Sequence, residues 1–194
     1  MHSDPDSKTT RLPHDGTPTA VGSRQPGDTA DVRRGLYTPD ERRRRDESPW
    51  TLVQGILAPL QFLVMLVSAW LLVRYLMTGA GIELATASVL VKTGLLYLIM
   101  ITGSIWEREV FGKWLFAEPF FWEDVVSMGV ILLHTAYVAG VLMGWGGPVA
   151  LAWLALVAYA AYTVNAIQFV LKLRAARLQE AGQRGTPALQ GGLS

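Results

Sequence analysis

The sequence predicts an all-α integral membrane protein built as a four-helix bundle. Four long apolar runs lie between Trp50 and Lys172, each roughly 20 residues or more, and a helix of that length spans the hydrocarbon core of a bilayer. The 194 residues are 51% hydrophobic and only 17% charged. The polar residues are concentrated ahead of the runs, whereas a soluble domain would alternate polar and apolar positions at helical spacing.

The chain ahead of the first run divides into two segments. Residues 1–35 are rich in Pro, Gly, Asp, Ser and Thr, which cannot bury enough apolar surface to order themselves, so we expect a disordered N-terminal tail. Residues 36–49 form a basic juxtamembrane segment that carries the run Arg42–Arg45. This segment ends in Ser48-Pro49, and a polar cap followed by proline predicts the start of a helix.

The four apolar runs predict four helices within a transmembrane domain of residues 50–173. The helices extend from about Trp50 to Tyr75, Glu83 to Trp106, Glu123 to Met143 and Val149 to Leu173. The second connection is rich in charged and aromatic residues, whereas the third is a very short turn. Residues 174–194 are expected to form a polar C-terminal tail.

Basic residues flank the predicted helices asymmetrically. One side carries Arg42–Arg45, Arg108, Lys113, Lys172, Arg174 and Arg177. The other side carries only Arg74, which can extend its side chain to the interface. Because short cytoplasmic segments are enriched in Lys and Arg, both termini are expected in the cytoplasm. Binding of anionic lipid or an acidic partner is the alternative interpretation of the arginine run.

Several classes of site are excluded or unsupported by composition. The absence of cysteine excludes disulfides, thiolate metal sites and a cysteine nucleophile. No Glu-x-x-His pair, glycine-rich phosphate loop or nucleophile elbow occurs, so no protein-bound metal is expected. The net charge of +1 gives no indication of nucleic-acid binding.

Polar side chains within the runs fall at two depths. The layer near the cytoplasm contains Gln54, Trp106, Glu107, Glu109, Glu123, Asp124, Asn165 and Gln168. The middle layer contains Gln61, Lys92, His134, Tyr159 and Tyr162. Polar groups contributed by four helices at matched depths indicate one shared cavity, since such groups are costly inside a bilayer.

The angular positions of these polar residues around each helix show which of them share a face. At about 100° per residue, Glu123, Ser127, His134 and Tyr137 share one face of the third helix, with Asp124 to its side. Lys92, Gly103 and Glu107 fall within one broad face of the second helix.

Each polar residue also has a structural interpretation. His134 could hydrogen-bond across the bundle and do nothing else, and Lys92 could pair with a backbone carbonyl or reach toward the periplasmic side. The four carboxylates could form an ordinary interfacial rim.

Seven aromatic residues accompany the carboxylates around the second connection. They are Trp106, Phe111, Trp114, Phe116, Phe120, Phe121 and Trp122. An aromatic belt at the membrane interface accounts for some of these rings. Their density beside four acids favours a flat aromatic ligand that enters from the cytoplasmic leaflet.

A series of motifs carries a family resemblance from Leu36 through the third helix. They are Leu36-Tyr37-Thr38-Pro39, Ser48-Pro49-Trp50-Thr51, Ala58-Pro59-Leu60-Gln61-Phe62-Leu63-Val64, Val91-Lys92-Thr93, Ile105-Trp106-Glu107, Phe120-Phe121-Trp122-Glu123-Asp124-Val125-Val126-Ser127-Met128 and Leu133-His134-Thr135-Ala136-Tyr137. Together they resemble the 3-vinyl bacteriochlorophyllide hydratase family of photosynthetic bacteria, called 2-vinyl in older ring numbering. The match is looser in the fourth helix.

The resemblance implies a hydro-lyase of bacteriochlorophyll biosynthesis in a bacterial inner membrane, either cytoplasmic or intracytoplasmic photosynthetic. It would add water across the 3-vinyl group of chlorophyllide a or 3-vinyl bacteriochlorophyllide, giving a 3-(1-hydroxyethyl) group. The expected partners are the tetrapyrrole, water, membrane lipid and other bacteriochlorophyll-synthesis enzymes. Hydration requires no redox or nucleotide cofactor, so none is expected.

A general acid would protonate the terminal vinyl carbon, and a carboxylic acid kept neutral by burial suits that step. We assign Glu123 and Glu107 to the acid and base roles in either order, with Asp124 in reserve. His134 is an alternative base or a ligand to the magnesium of the substrate. The expected substrate-binding residues are Lys92, Gln61, Trp106, Trp122, Ser127 and Tyr137.

Two other classes of function use the same features. A non-catalytic chlorin-binding or assembly protein of the photosynthetic membrane would hold the ring without changing it. A small transporter is disfavoured, because the helices show no inverted repeat and no pair of broken helices.

Overall fold

The computed structural model describes residues 36–185, which are all-helical apart from short connections. The helices are α1 (Pro39–Glu47), α2 (Pro49–Thr78), α3 (Ile82–Phe111), α4 (Phe121–Met143) and α5 (Gly147–Gly185), with a 3-10 turn at Glu118–Phe120. Helices α2 to α5 are long and apolar enough to cross a membrane, which confirms the prediction of four spans. The expected disordered tail of residues 1–35 and the last residues, 186–194, lie outside the described residues.

Helix α1 is an element that the sequence analysis did not anticipate within the basic segment. Its start is a capping box, in which the Thr38 side chain accepts from the Glu41 backbone N–H and the Glu41 carboxylate accepts from the Thr38 N–H. This arrangement satisfies two backbone donors that a helix start leaves without partners. Ser48 separates α1 from α2 and caps α2 by accepting from the Trp50 N–H, as the sequence predicted.

Two helices continue past the ends expected from hydropathy. Helix α3 runs to Phe111 rather than Trp106 and ends where Gly112 adopts a φ of 77°, which glycine tolerates best. Helix α5 runs to Gly185 rather than Leu173, so most of the expected polar tail is helical. Hydropathy indicates only where a helix leaves the membrane. Residues 174–185 are rich in Ala, Arg, Leu and Gln, which favour the helical conformation, so α5 continues beyond that point.

The bundle consists of two antiparallel hairpins, α2–α3 and α4–α5, which contact each other less extensively than the helices within each hairpin do. Two hydrogen bonds set the register, from Gln54 to Thr102 between α2 and α3 and between Ser68 and Tyr159 across α2 and α5. We name the "α1 end" as the end that holds α1 and the connection 112–120. The "hairpin end" holds the turns after α2 and α4.

Apolar side chains form a large cluster from the middle of the bundle to the hairpin end and a smaller one at the α1 end. Buried apolar side chains include Leu72, Val89, Leu96, Val130 and Tyr137. Many outward-facing side chains are also apolar, such as Val67 at 59% and Leu132 at 69% exposure. Outward apolar surface is expected where hydrocarbon replaces water, because lipid tails are as apolar as leucine. The informative interior residues are therefore the buried polar ones.

Candidate functional site

A buried pair of carboxyl groups lies at the α1 end of the bundle. Glu107, in the last turns of α3, is 5% exposed, and Asp124, in the first turn of α4, is 3% exposed. Their carboxyl groups lie close enough to interact directly. Because a carboxylate only accepts hydrogen bonds, a hydrogen bond between the two groups would require one of them to carry a proton. The two groups are therefore placed where they could share a proton at a buried position.

The connection between α3 and α4 supplies backbone donors to this pair. The Phe116 N–H donates to Asp124 Oδ2 at 2.7 Å, and the Ala117 N–H donates to Glu107 Oε2 at 3.3 Å. Phe116 has a φ of 59°, the only positive value at a non-glycine position in residues 36–185. Such a conformation is costly for a bulky residue and persists where the surroundings enforce it. Here it accompanies two successive N–H groups directed at the carboxyl pair.

An aromatic cluster packs beside the carboxyl pair at the α1 end. Phe120 is its centre, 1% exposed, with ring centroids 5.8 Å from those of Trp106, Phe111 and Phe169. Tyr37, which precedes α1, stacks on Phe111 at 5.8 Å. The Trp106 indole N–H donates to the Thr51 hydroxyl at 2.9 Å, which satisfies its polar atom inside the bundle.

Glu123 has a different partner from the one that the sequence predicted. Its carboxylate accepts a hydrogen bond from Lys172 Nζ of α5 at 2.5 Å. Adjacent residues of a helix point about 100° apart, so Glu123 is directed toward α5 whereas Asp124 is directed toward the connection and Glu107. The structure thus pairs Glu107 with Asp124, which the sequence analysis had placed in reserve, rather than with Glu123.

A second polar group lies in the middle of the bundle around Lys92. This side chain is fully buried, and its Nζ is 3.3 Å from His134 Nε2 and 3.8 Å from the ring centroid of Tyr162. His134 Nδ1 lies 2.8 Å from the Val130 carbonyl, an acceptor, so Nδ1 carries the proton and Nε2 accepts from Lys92. The Lys92 amino group thus contacts an imidazole and an aromatic face.

The two polar groups do not form the single shared cavity that the sequence predicted. Lys92 and Glu107 are on the same helix, and their separation in sequence corresponds to about 22 Å along the axis.

The arrangement of His134 also bears on its predicted role as a magnesium ligand. Because both ring nitrogens are engaged, ligation would require Lys92 to move away from Nε2. Within the described chain, no cluster of three or more His, Asp or Glu residues could hold a metal ion.

The remaining predicted binding residues occupy different surroundings. Ser127 is buried and accepts from Asn165 Nδ2 at 2.8 Å, and Gln61 is buried at 1% exposure. Tyr137 is buried near the hairpin end, at 2% exposure. Trp122 is 71% exposed on the outer surface, so it does not line the interior with the others.

Sequence reasoning missed three contributors to this site. The backbone N–H groups of Phe116 and Ala117 leave no signal in residue type, because every non-proline residue has one. Lys172 was interpreted only as a topology signal. Its position seven residues, or two helical turns, after the buried Asn165 could have indicated that Lys172 faces the bundle.

Two cavities lie away from the carboxyl pair. One of about 240 Å³ opens at the hairpin end between Tyr137, Gly140 and Leu151. The other, about 430 Å³, is an apolar groove on α2 and α3 lined by Leu63, Val67 and other aliphatic side chains. Neither cavity includes Glu107 or Asp124 in its lining.

The fold and the site define a class of protein: a four-span membrane protein with a buried pair of adjacent carboxyl groups beside an aromatic cluster. Residues 37–175 match the sequence model of a family described as 2-vinyl bacteriochlorophyllide hydratase. The chain belongs to this family, and it is therefore an enzyme of the hydro-lyase class.

Two curated relatives carry the same description, 2-vinyl bacteriochlorophyllide hydratase. The protein of Rhodobacter capsulatus is 57% identical over 161 residues, which cover 82% of this chain and 94% of the relative. The protein of Cereibacter sphaeroides is 57% identical over 160 residues, covering 82% of this chain and 99% of the relative. No solved structure matches the chain significantly.

Proposed function

We propose that this protein hydrates the 3-vinyl group of chlorophyllide a or 3-vinyl bacteriochlorophyllide to a 3-(1-hydroxyethyl) group during bacteriochlorophyll biosynthesis. The substrates are the tetrapyrrole and water. The observation that carries the proposal is the pair of Glu107 and Asp124, two adjacent carboxyl groups that are 5% and 3% exposed. The names of the two relatives support the choice of substrate.

The proposed reaction begins with proton transfer from the carboxyl pair. The vinyl π electrons form a new C–H bond at the terminal carbon, which leaves a cation on the carbon attached to the conjugated ring. The oxygen of a water molecule adds to that cation, and the carboxylate takes the proton that the water loses. One water is consumed, and the pair returns to its starting state without an oxidant or reductant.

The backbone donors support the charge changes of this cycle. When the pair gives up its proton, both carboxyl groups are anionic and close together. The N–H groups of Phe116 and Ala117 then hydrogen-bond to the developing negative charge without needing to reorient. Charge-assisted bonds of this kind are stronger than neutral ones, so they oppose the repulsion between the two carboxylates.

The aromatic cluster is the proposed contact surface for the tetrapyrrole. Trp114 and Phe116 of the connection are exposed at 55% and 38%, whereas Phe120 is buried beside the carboxyl pair. Movement of the connection would let a flat ring pack against Phe120 and bring its vinyl group to the pair. Entry at this end suits a substrate delivered through the membrane interface, where aromatic side chains are favoured.

We expect Glu123→Gln to lower turnover more than Glu109→Gln does. The Glu123 carboxylate balances the positive charge of Lys172 next to the Glu107–Asp124 pair, and the substitution removes that balance. The Glu123 ion pair lies one residue from Asp124, whereas Glu109 is exposed and accepts a hydrogen bond from Ser48. Both variants keep side-chain shape, so the comparison isolates loss of charge. The ratio of hydroxyethyl to vinyl pigment at equal protein level measures the effect, and equal ratios would exclude a role for Glu123.

We further propose that both termini are cytoplasmic in a bacterial inner membrane. The α1 end carries Arg42–Arg45, Arg108 and Lys113, as the positive-inside rule requires. A reporter enzyme active only in the periplasm should be active when fused at Gly146, at the hairpin end, and inactive when fused after Gly185. Cytoplasmic activity of the Gly146 fusion would contradict this orientation.

The proposed activity can be tested by incubating membranes that contain the protein with chlorophyllide a. The expected product is a pigment heavier by one water, detected by mass spectrometry and absent from membranes without the protein. If the pigment co-purifies with the protein unchanged in mass, the chain would instead be a chlorin-binding protein.

A further inference from the structure

The two carboxyl groups of the buried pair accept backbone hydrogen bonds of unequal length. Two carboxyl groups this close rarely ionise together, because like charges repel. The Phe116 N–H lies 2.7 Å from Asp124 Oδ2, whereas the Ala117 N–H lies 3.3 Å from Glu107 Oε2. Hydrogen bonds to an ionised oxygen are shorter than those between neutral groups, which cluster at about 2.9–3.0 Å. The bond to Asp124 therefore has the length expected for a carboxylate, and the bond to Glu107 does not.

The position of each group along its helix favours the same distinction. Asp124 lies in the first turn of α4, where the N–H groups of a helix start carry partial positive charge that stabilises an anion. Glu107 lies in the last turns of α3, and the partial charge at that kind of helix end is negative. The ends of the two helices thus favour an anion at Asp124 and do not favour one at Glu107.

The side chains one helical turn away from each group differ in polarity. Glu107 precedes Val110 and Phe111 by one turn, and both belong to the apolar cluster at the α1 end. Apolar surroundings disfavour the charged form of a carboxyl group. Asp124 instead precedes the buried Ser127 by one turn, so its neighbour on the same face of α4 is a hydroxyl group.

The charged side chains beside the pair have opposing effects. Glu123 is adjacent to Asp124 and opposes a second negative charge there, whereas Lys172, which bonds to Glu123, attracts the Asp124 carboxylate. Because these two charges act in opposite directions, the difference between Glu107 and Asp124 depends mainly on the backbone donors, the helix ends and the apolar neighbours.

We infer that Glu107 is the general acid and Asp124 the ionised general base; this assignment rests on the proposed hydration and deepens it. The O–H bond of Glu107 breaks as the new C–H bond forms at the terminal vinyl carbon. Water then adds to the cation, and the Asp124 carboxylate takes the proton that the water loses. Transfer of that proton from Asp124 to Glu107 restores the starting state, so one water is consumed and no further reactant is needed.

Infrared spectroscopy of the full-length protein in lipid nanodiscs tests the assignment without pigment. A protonated carboxyl group has a carbonyl stretch that is separate from the bands of a carboxylate. At neutral pH the wild type should show this stretch, Glu107→Gln should lose it, and Asp124→Asn should keep it. Glu109→Gln is the matched control and should leave the stretch unchanged, because Glu109 is exposed.

Three infrared results would overturn the assignment. They are absence of the stretch from the wild type, its retention in Glu107→Gln, and its loss in Asp124→Asn. Isotope labelling of the wild type makes the same test if a variant does not fold. The stretch should shift when the side-chain carboxyl carbon of glutamate is labelled, and a shift on labelling aspartate instead would reverse the roles.

A partial reaction connects the assignment to hydration. Asp124→Asn keeps the acid but lacks the base, so in deuterium oxide it should protonate the vinyl group reversibly. Chlorophyllide a should then exchange hydrogen for deuterium at the terminal vinyl carbon several-fold faster than with Glu107→Gln, without gaining water. Equal exchange in the two variants, or faster exchange with Glu107→Gln, would overturn the roles. The expected infrared pattern in a wild-type protein that hydrates nothing would retain the protonation states and reject the proposed function.

Discussion

Glu107→Gln should reduce hydration by at least about 100-fold, the scale on which general acid–base groups contribute. Glutamine keeps the shape of the side chain and can still accept from the Ala117 N–H and bond to Asp124. It cannot donate a proton to carbon. Conversion of chlorophyllide a by purified protein measures the loss, and an unchanged thermal unfolding midpoint would show that the fold is intact.

Asp124→Asn should cause a loss of similar size, and the double variant should be little worse than either single one. Residues that act as one catalytic unit show this non-additivity, because removing either member already stops the step. Glu109→Gln is the matched control, since Glu109 is exposed and bonds to Ser48. Near-normal turnover in Asp124→Asn together with a large loss in Glu123→Gln would show that the pairing predicted from the sequence, Glu123 with Glu107, is the functional one.

Phe120→Ala should destabilise the protein by about 3–5 kcal/mol, the usual cost of truncating a buried phenylalanine. Phe120 joins α3, α5 and the connection through three ring contacts, so its loss should also release the backbone donors from the carboxyl pair. Both the unfolding free energy, measured by denaturing-detergent titration, and the turnover should therefore fall.

Trp122→Ala is the control for this change. Trp122 is 71% exposed and two residues away, so its truncation should alter the unfolding free energy by less than about 0.5 kcal/mol. Equal destabilisation by the two substitutions would mean that the aromatic cluster has no special role at the α1 end.

Hydropathy was sufficient to predict the four spans, because the bilayer imposes a length and an apolar composition on every crossing helix. Helical phase also identified the buried face of α4, where Ser127, His134 and Tyr137 all lie inside. These successes depend on periodicity within one helix. They require no knowledge of how the helices are arranged around each other.

The partners of the buried charges could not be predicted in the same way. Whether Glu107 meets Glu123 or Asp124 depends on the path of the connection 112–120 and on the left-handed backbone at Phe116. The contact between Lys92 and His134 depends on how the two hairpins pack. Contacts between helices leave no periodic pattern in the sequence. The family resemblance indicated the reaction, but it did not indicate which side chains contact each other.

The central claim is that the Glu107–Asp124 pair delivers the proton to the terminal vinyl carbon. Purified wild-type protein and Glu107→Gln should be incubated with chlorophyllide a in deuterium oxide at equal protein concentration. The account expects wild-type product with one deuterium in the methyl part of the new hydroxyethyl group, and almost no product from Glu107→Gln. Deuterated product formed by Glu107→Gln at the wild-type rate would contradict it.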